Sequence, residues 1–411
     1  MLITMLYLLA IALAIPALLF VTQCIGAAFS PKDTENKLSE PPTYDLKVII
    51  PAHNEAACLG ATLSKLIPQL KNAADIVLVA DNCSDETADI ARASGCTLLE
   101  RHHETERGKG YALAHALAYL SAAPPQLVIF VDADCQVQPH SIQRLAEAAL
   151  KLKRPIQAQY LIQAPANSAI SAKISEFAIL VKNRVRPLGQ NLLKAPVPLV
   201  GSGMAFLWDD IAKVSLASGE IVEDMKLGIE FACKGKGAYY LDSALVTSTL
   251  PTQTAALKTQ RERWEHGHLG LIQRYGLPLL KSTLQQRRLS IALFTLDLII
   301  PPLSLLIAIT LLILIIQFLG IFFTQNLTPF FIVATVFCLL CGSVILSWWK
   351  FARHVLSAAE IIHAPLYAVS KLLIYTGFIK KRQTSWIRTE RDDNTSNSDD
   401  NTNADKDNSK T

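Results

Sequence analysis

The chain predicts an α/β fold, a mostly parallel sheet covered by helices and joined to transmembrane helices, on three observations. Leu46-Lys-Val-Ile-Ile-Pro51, Asp75-Ile-Val-Leu-Val-Ala80 and Gln126-Leu-Val-Ile-Phe-Val131 are short β-branched runs separated by segments of helical period. Strands alternating with helices in this way build a mostly parallel sheet. Each run ends in polar residues: His53-Asn54-Glu55, then Asp81, then Asp132 to Asp134. Third, 51% of the 411 residues are hydrophobic and mean hydropathy is +0.28, which is too apolar for a purely soluble protein.

A bilayer core of about 30 Å needs roughly 20 apolar residues in helical form, and three segments meet that length. Residues 1–29 carry no charged side chain. No Arg or Lys precedes this run, and it exceeds the roughly 7 to 15 residues of a cleaved signal's apolar region, so an uncleaved anchor is expected. A linker over 30–45 leads to a large domain over 46–280, with helices expected at Ala56 to Leu66, Thr87 to Ser94 before Gly95, and Gly110 to Ser121. The second apolar segment, 289–320, contains Pro301-Pro302, which should break or kink it and leave the preceding residues at the interface. The third, 329–349, ends in Trp348-Trp349 and Lys350. Residues 355–390 read as an interfacial amphipathic helix with Lys380-Lys-Arg382 and Trp386-Ile-Arg388, and 391–411 as a disordered polar tail.

Lys281, Arg287 and Arg288 precede the second segment, and Lys350 and Arg353 follow the third. The positive-inside rule then makes this an integral membrane protein with its large domain in the cytoplasm, and a bacterial inner membrane is the expected setting. A net charge of +4, without a basic block interleaved with aromatics, argues against a nucleic-acid partner. Eight cysteines without paired spacing in the soluble part suit a reducing compartment; Cys338-Leu-Leu-Cys341 sits in an apolar span and reads as packing. Pro51-Ala-His-Asn-Glu55 stands where a dinucleotide-binding chain would carry G-x-G-x-x-G, which counts against a nicotinamide or flavin enzyme.

Ligands of open α/β sheets bind beyond the carboxyl ends of the strands, so the polar clusters should converge on one crevice. Asp81 and Asp85 suit helix capping, or a carboxylate that accepts from a base edge or ribose. Strand alternation puts Asp132 and Asp134 on one side, where Mg²⁺ or Mn²⁺ bridging to diphosphate would relieve their repulsion; the alternative is a polar turn ahead of Pro139. Arg107-Gly-Lys109-Gly110 opens a helix, and its amides with Lys109 suit a phosphate, or simply a flexible loop. Glu223-Asp224 opens a further helix; the pair are capping acids, or Asp224 is the base for an attacking hydroxyl. One base opposite a metal-held leaving group predicts single displacement with inversion. Gln260 and Arg263 share one helical face with Trp264 beside them and suit hydroxyls, diphosphate and a sugar ring respectively, or the segment is an amphipathic, solvent-facing helix near the membrane. Gly201-Ser-Gly203 marks a close backbone approach or a tight turn, and Gly203 is taken with the acceptor and diphosphate side.

In this order the motifs resemble those of family 2 glycosyltransferases with the GT-A fold, the group that includes cellulose, chitin and hyaluronan synthases, poly-N-acetylglucosamine synthases and ceramide glucosyltransferases. The resemblance covers about Lys47 to Gly270. It implies that Pro51, Asn54, Glu55, Asp81 and Lys109 hold the nucleotide sugar and that Asp132 and Asp134 hold diphosphate and metal. It also implies Asp224 as general base and Gln260, Arg263 and Trp264 as a closing helix. One departure is Ala80-Asp81, where many relatives have paired aspartates. The implied reaction is inverting transfer of a hexose or N-acetylhexosamine from a UDP-sugar to a growing polysaccharide or a lipid, both acceptors staying open. With only two spans after the domain, an oligomer or export partner would have to complete any translocation path. A non-catalytic nucleotide-sugar sensor or assembly subunit is the alternative.

Overall fold

Alternate residues of the central strands face two separate apolar cores, which is why these strands read as unbroken hydrophobic runs. In the computed structural model, which describes residues 1–31, 44–371 and 375, Ile49, Val77, Val79, Val128 and Phe130 enter one core. Val48, Ile50, Ile76, Leu78, Leu127 and Ile129 enter the other. The strands are β1 (Leu46–Ala52), β2 (Ile76–Asp81), β3 (Thr97–Arg101), β4 (Leu127–Phe130), β5 (Gln136–Val137), β6 (Ile156–Gln163), β7 (Met204–Leu207) and β8 (Tyr239–Thr249). They form one sheet in the order β3-β2-β1-β4-β7-β6-β8-β5.

Pairings of β1 with β2 and β4, of β2 with β3, and of β6 with β8 are parallel; β4 with β7, β6 with β7 and β5 with β8 are antiparallel. The sheet is therefore mixed and mostly parallel. Helices Ala56–Leu66, Thr87–Ala93 and Lys109–Leu120 follow β1, β2 and β3. The chain thus leaves β1 toward β2 and later returns to its other side as β4, a topological switch point where a ligand crevice opens.

Among the described residues, three helices are long and apolar enough to cross a membrane: Leu2–Phe29, Leu303–Thr324 and Thr328–Ala352. A separate helix, Leu289–Leu298, ends just before Pro301-Pro302. The first long helix does not stand apart from the sheet domain. Leu13, Phe20 and Cys24 share a buried cluster with Ile174, Val185 and Leu188, which continues to Val128 and Phe130 of the sheet. After the last span come two short helices, Ala358–Ile361 and Ala364–Ser370, docked on helix Ile170–Leu180. Lys173 pairs with Glu360 at 2.6 Å, and Ser175 Oγ lies 2.7 Å from the Tyr367 hydroxyl. The two short helices occupy the start of the expected amphipathic segment. Most of its remainder, most of the 30–45 linker and the 391–411 tail lie outside the described residues.

Candidate active site

The loop after β1 is held by its own side chains. Asn54 adopts a left-handed φ of 55°, and its Oδ1 accepts from the Ser84 amide at 2.7 Å. Asp85 Oδ2 accepts from the Ala56 amide at 3.1 Å, and its Oδ1 accepts from the Thr87 amide at 3.0 Å. Asp85 thereby caps two helices at once. Pro51, Glu55 and Asp81 line a large cavity beyond these strand ends. Asn54 is not on that wall. Its amide ties the β1 and β2 loops together.

Asp81 is nearly buried, and Arg101 of β3 donates to its Oδ1 at 2.7 Å, their side chains being 6% and 11% exposed. Nothing in the sequence marked Arg101. The His53 Nδ1 sits 2.7 Å from the Asp81 carbonyl oxygen, fixing the imidazole at the mouth of the crevice.

Asp132 and Asp134 do come together, but for a different reason from the one expected. β4 ends at Phe130; after the Val131 amide, which still donates to the Ile49 carbonyl, the chain forms a turn closed by the Cys135 amide donating to the Asp132 carbonyl at 3.0 Å. The turn, not strand alternation, places oxygens of both carboxylates and Cys135 Sγ within 4.8 Å of one another.

Lys109 opens its helix directly after Gly108, whose φ is 123°. Its ammonium lies 2.5 Å from Asp132 Oδ1 and 3.7 Å from Glu223 Oε1, and donates to the Gly201 carbonyl at 2.8 Å. Burial opposes the charge on Lys109, but Asp132, Glu223 and Asp224 outweigh it and hold its pKa above the usual lysine value. Gly110 serves packing, since a Cβ there would sit 2.5 Å from the Leu216 carbonyl oxygen.

Gly201, at φ +90°, is where the carboxylates meet: a Cβ on it would be 3.5 Å from Asp224 Oδ2, 3.7 Å from Asp132 Oδ2 and 3.9 Å from Lys109 Nζ. Gly203 is different. Its amide donates to the Phe130 carbonyl at 2.9 Å, and a Cβ there would lie 2.6 Å from Ala158 Cβ. Close packing within the sheet requires that glycine, and Gly201 rather than Gly203 lines the cavity.

Asp224 sits in the first turn of helix Glu223–Cys233, with Oδ1 accepting from the Met225 amide at 2.7 Å. Burial raises the Asp224 pKa, opposed chiefly by Lys109; burial likewise pushes Glu223 up to about 7, again against Lys109. Gln260, Arg263 and Trp264, on helix Thr254–Gln286, face the same cavity. Gln260 Oε1 is buried and finds no hydrogen-bond donor among the described residues, which suits it to a ligand hydroxyl.

The cavity measures about 1370 Å³ and continues from Asp81, Asp132 and Asp134 past Asp224 to Leu303, Ile307, Leu311, Phe337 and Val344 of the two later spans. Lys182 also lines it, and the sequence reading missed that residue. A helix-phase break at Val181–Val185 exposes it there, a feature with no local sequence signature.

Comparison with known proteins agrees with this arrangement. An uncharacterized protein of Methanocaldococcus jannaschii is 29% identical over 119 residues, covering 29% of this chain and 47% of that protein. The 4,4'-diaponeurosporenoate glycosyltransferase of Staphylococcus aureus is 37% identical over 90 residues, 22% of this chain and 24% of that enzyme. The chain thus spans less than half the length of these curated relatives. Among solved structures, a mannosyltransferase from Pyrobaculum calidifontis in complex with GDP-Man and Mn²⁺ aligns with a TM-score of 0.51 at 17% identity. That alignment covers 90% of this chain and 99% of the other, and shows a shared GT-A fold. Residues 41–267, more than half the chain, match the family profile described as "Glycosyltransferase like family 2", and the chain therefore belongs to that family.

Proposed function

We propose that this protein is an integral membrane enzyme that transfers a hexose or N-acetylhexosamine from a UDP-sugar, with inversion, to a lipid acceptor. The carrying observation is the single cavity that joins the carboxylate cluster to apolar side chains of the membrane helices. A lipid could lay its chains against Leu303, Ile307 and Phe337 and bring its head to Asp224, whereas a purely polar polymer would gain nothing from that apolar end. In this reading residues 1–29, 289–320 and 329–349 hold the enzyme in the membrane, and 46–280 form its cytoplasmic catalytic domain.

The roles follow from position. Pro51, Glu55 and Asp81 border the nucleotide end, with Arg101 holding the Asp81 carboxylate in place. Asp132 and Asp134 fit a hard divalent cation, Mg²⁺ or Mn²⁺, because two carboxylates within 4.8 Å offer the oxygen ligands such ions take. When bound, that ion would supply neutralising charge at the departing diphosphate. Lys109 balances the negative cluster and favours ionised Asp224. Asp224 takes the acceptor hydroxyl proton while that oxygen bonds to the anomeric carbon and the bond to diphosphate breaks. Gln260, Arg263 and Trp264 close over the sugar and diphosphate from the neighbouring helix.

The test is product analysis with purified enzyme, a membrane lipid extract and radiolabelled UDP-glucose, UDP-galactose or UDP-N-acetylglucosamine. One sugar on an organic-extractable lipid is expected. A ladder of water-soluble oligosaccharides would instead establish polymer extension.

A further inference from the structure

The membrane-side wall of the cavity carries a cation that the reaction just described leaves unused. Lys182 lies in a five-residue π turn, Val181–Val185, inserted between helices Ile170–Leu180 and Arg186–Leu192. Insertions of this kind rotate a side chain out of step with its helix, and they recur at functional sites. Here Val181, Asn183 and Val185 are buried while Lys182 lines the cavity together with Asp224. It also borders Met225, His268, Phe294 and Leu298, in the layer between the catalytic domain and the spans.

Among the described residues the Lys182 ammonium makes no hydrogen bond or ion pair. Asp224, Glu265 and Asp297 act on it only through space, and Glu265 and Asp297 already contact Lys371 and Arg186. Burial pulls its pKa down, the expected cost of a desolvated charge without a contacting partner. Arg261, on which Glu265 acts through space, also lines the cavity, bonding to the Ser171 carbonyl and the Ser175 hydroxyl and facing the Tyr367 ring at 5.4 Å. All three of those partners are neutral.

We infer that the acceptor is an anionic lipid whose head carries a phosphate or carboxylate beside the attacking hydroxyl, and that Lys182 is the residue that binds this anion. The inference rests on the lipid-acceptor reading above and adds the chemistry of the head. The anion is bound and not consumed. The hydroxyl oxygen bonds to the anomeric carbon, the carbon–diphosphate bond breaks with UDP taking the electron pair, and the proton goes to Asp224.

The experiment compares the full-length enzyme with Lys182→Met and Lys182→Arg, using the donor that supports transfer. Acceptors are phosphatidylglycerol and a long-chain 3-hydroxy acid, each against an uncharged counterpart, diacylglycerol and a 1,3-alkanediol. Wild type should favour an anionic acceptor by at least about thirtyfold in kcat/KM, the lower end of what truncating a buried charge pair costs. Lys182→Met should erase that preference mainly through KM, keep UDP affinity, and be largely rescued by Lys182→Arg. Which of the two anionic acceptors shows the preference tells phosphate from carboxylate. Equal use of the uncharged lipids by wild type, or a preference that survives in Lys182→Met, overturns the inference and leaves the lipid acceptor standing. Polymer formation with no glycolipid from any amphiphile overturns both. If Lys182→Met loses UDP binding, the wild-type preference and its retention in Lys182→Arg decide.

Discussion

Replacing Asp224 with Asn isolates the proposed base more cleanly than any other change. The Asp224 Oδ1 is anchored by the Met225 amide at 2.7 Å, while Oδ2 faces Gly201 and the cavity. Asparagine has the same shape and can still accept from Met225, so the helix start survives and only charge and basicity go. General-base catalysis contributes about 10²- to 10⁴-fold. At about 1.4 kcal/mol per tenfold, that is about 2.7 to 5.4 kcal/mol of barrier. Lys109 retains Asp132 at 2.5 Å and Glu223 at 3.7 Å, so UDP and metal affinity should persist. The assay is UDP release at saturating donor and acceptor, with UDP binding by calorimetry as control. Turnover should fall at least about a hundredfold; a fall of less than about tenfold with intact binding refutes the role. The pH profile gives a second reading. Burial raises the Asp224 pKa, and the base form is the working one, so wild-type kcat should decline as pH falls, at a higher pH than a surface aspartate would produce. Asp224→Asn should lack that limb.

The remaining expectations concern the metal, the nucleotide floor and the two glycines. Asp134→Ala should weaken metal-dependent UDP binding; wild type that binds UDP equally with and without chelator would remove the cation from the scheme. Arg101→Leu strands the nearly buried Asp81 carboxylate, so about 3 to 5 kcal/mol of stability should be lost, visible as a lower Tm together with weaker UDP binding. Gly201→Ala puts a methyl 3.5 Å from Asp224 Oδ2 at a left-handed backbone position and should cut kcat with UDP binding kept. Gly203→Ala should act on folding instead, costing about 1 to 3 kcal/mol or more, because its methyl would press on Ala158 at 2.6 Å.

What was legible in the sequence divides along the range of the forces involved. β1, β2 and β4 announced themselves because both faces of the sheet are buried there, and helix Ala56–Leu66 matched its expected bounds to the residue. β3 and β6 to β8 did not. The burial of Thr97–Arg101 is only partial, and β6 mixes glutamines with apolar residues whose partners are antiparallel on one side and parallel on the other. Local spacing also grouped Asp132 with Asp134, but it could not show that a turn does the grouping or that Lys109 bonds one of them from the start of another helix. Arg101 and Lys182 were invisible for a related reason. Each matters through a partner or a space that lies far away along the chain. Of the two adjacent glycines, one serves the cavity and one the sheet, a distinction fixed by what stands opposite each Cβ position.

The same long-range logic ties the reaction site to the membrane. Arg186 lies on the helix that directly follows the Lys182 turn. It donates through Nε to Gln23 of the first apolar helix at 2.9 Å and through Nη2 to Asp297 at 2.7 Å, while Gln23 Nε2 donates to the same Asp297 oxygen at 2.7 Å. Such a buried ionic group is costly unless each partner is satisfied, and here they satisfy one another across three segments. His268, on the helix of Gln260 and Arg263, adds a fourth: its Nε2 is 3.0 Å from the Leu298 carbonyl, and burial pulls its pKa down to about 3, leaving the ring neutral near pH 7. Gly189 lets the Arg186 helix approach the backbone of Gln23 directly. The helix of Gln260 and Arg263, the turn that presents Lys182, the first apolar helix and Leu289–Leu298 therefore share one polar joint. In the proposed reading a lipid head entering between the spans would meet a site held at a set depth, because displacing the sheet domain from the first apolar helix would strand Arg186 and Asp297 without partners.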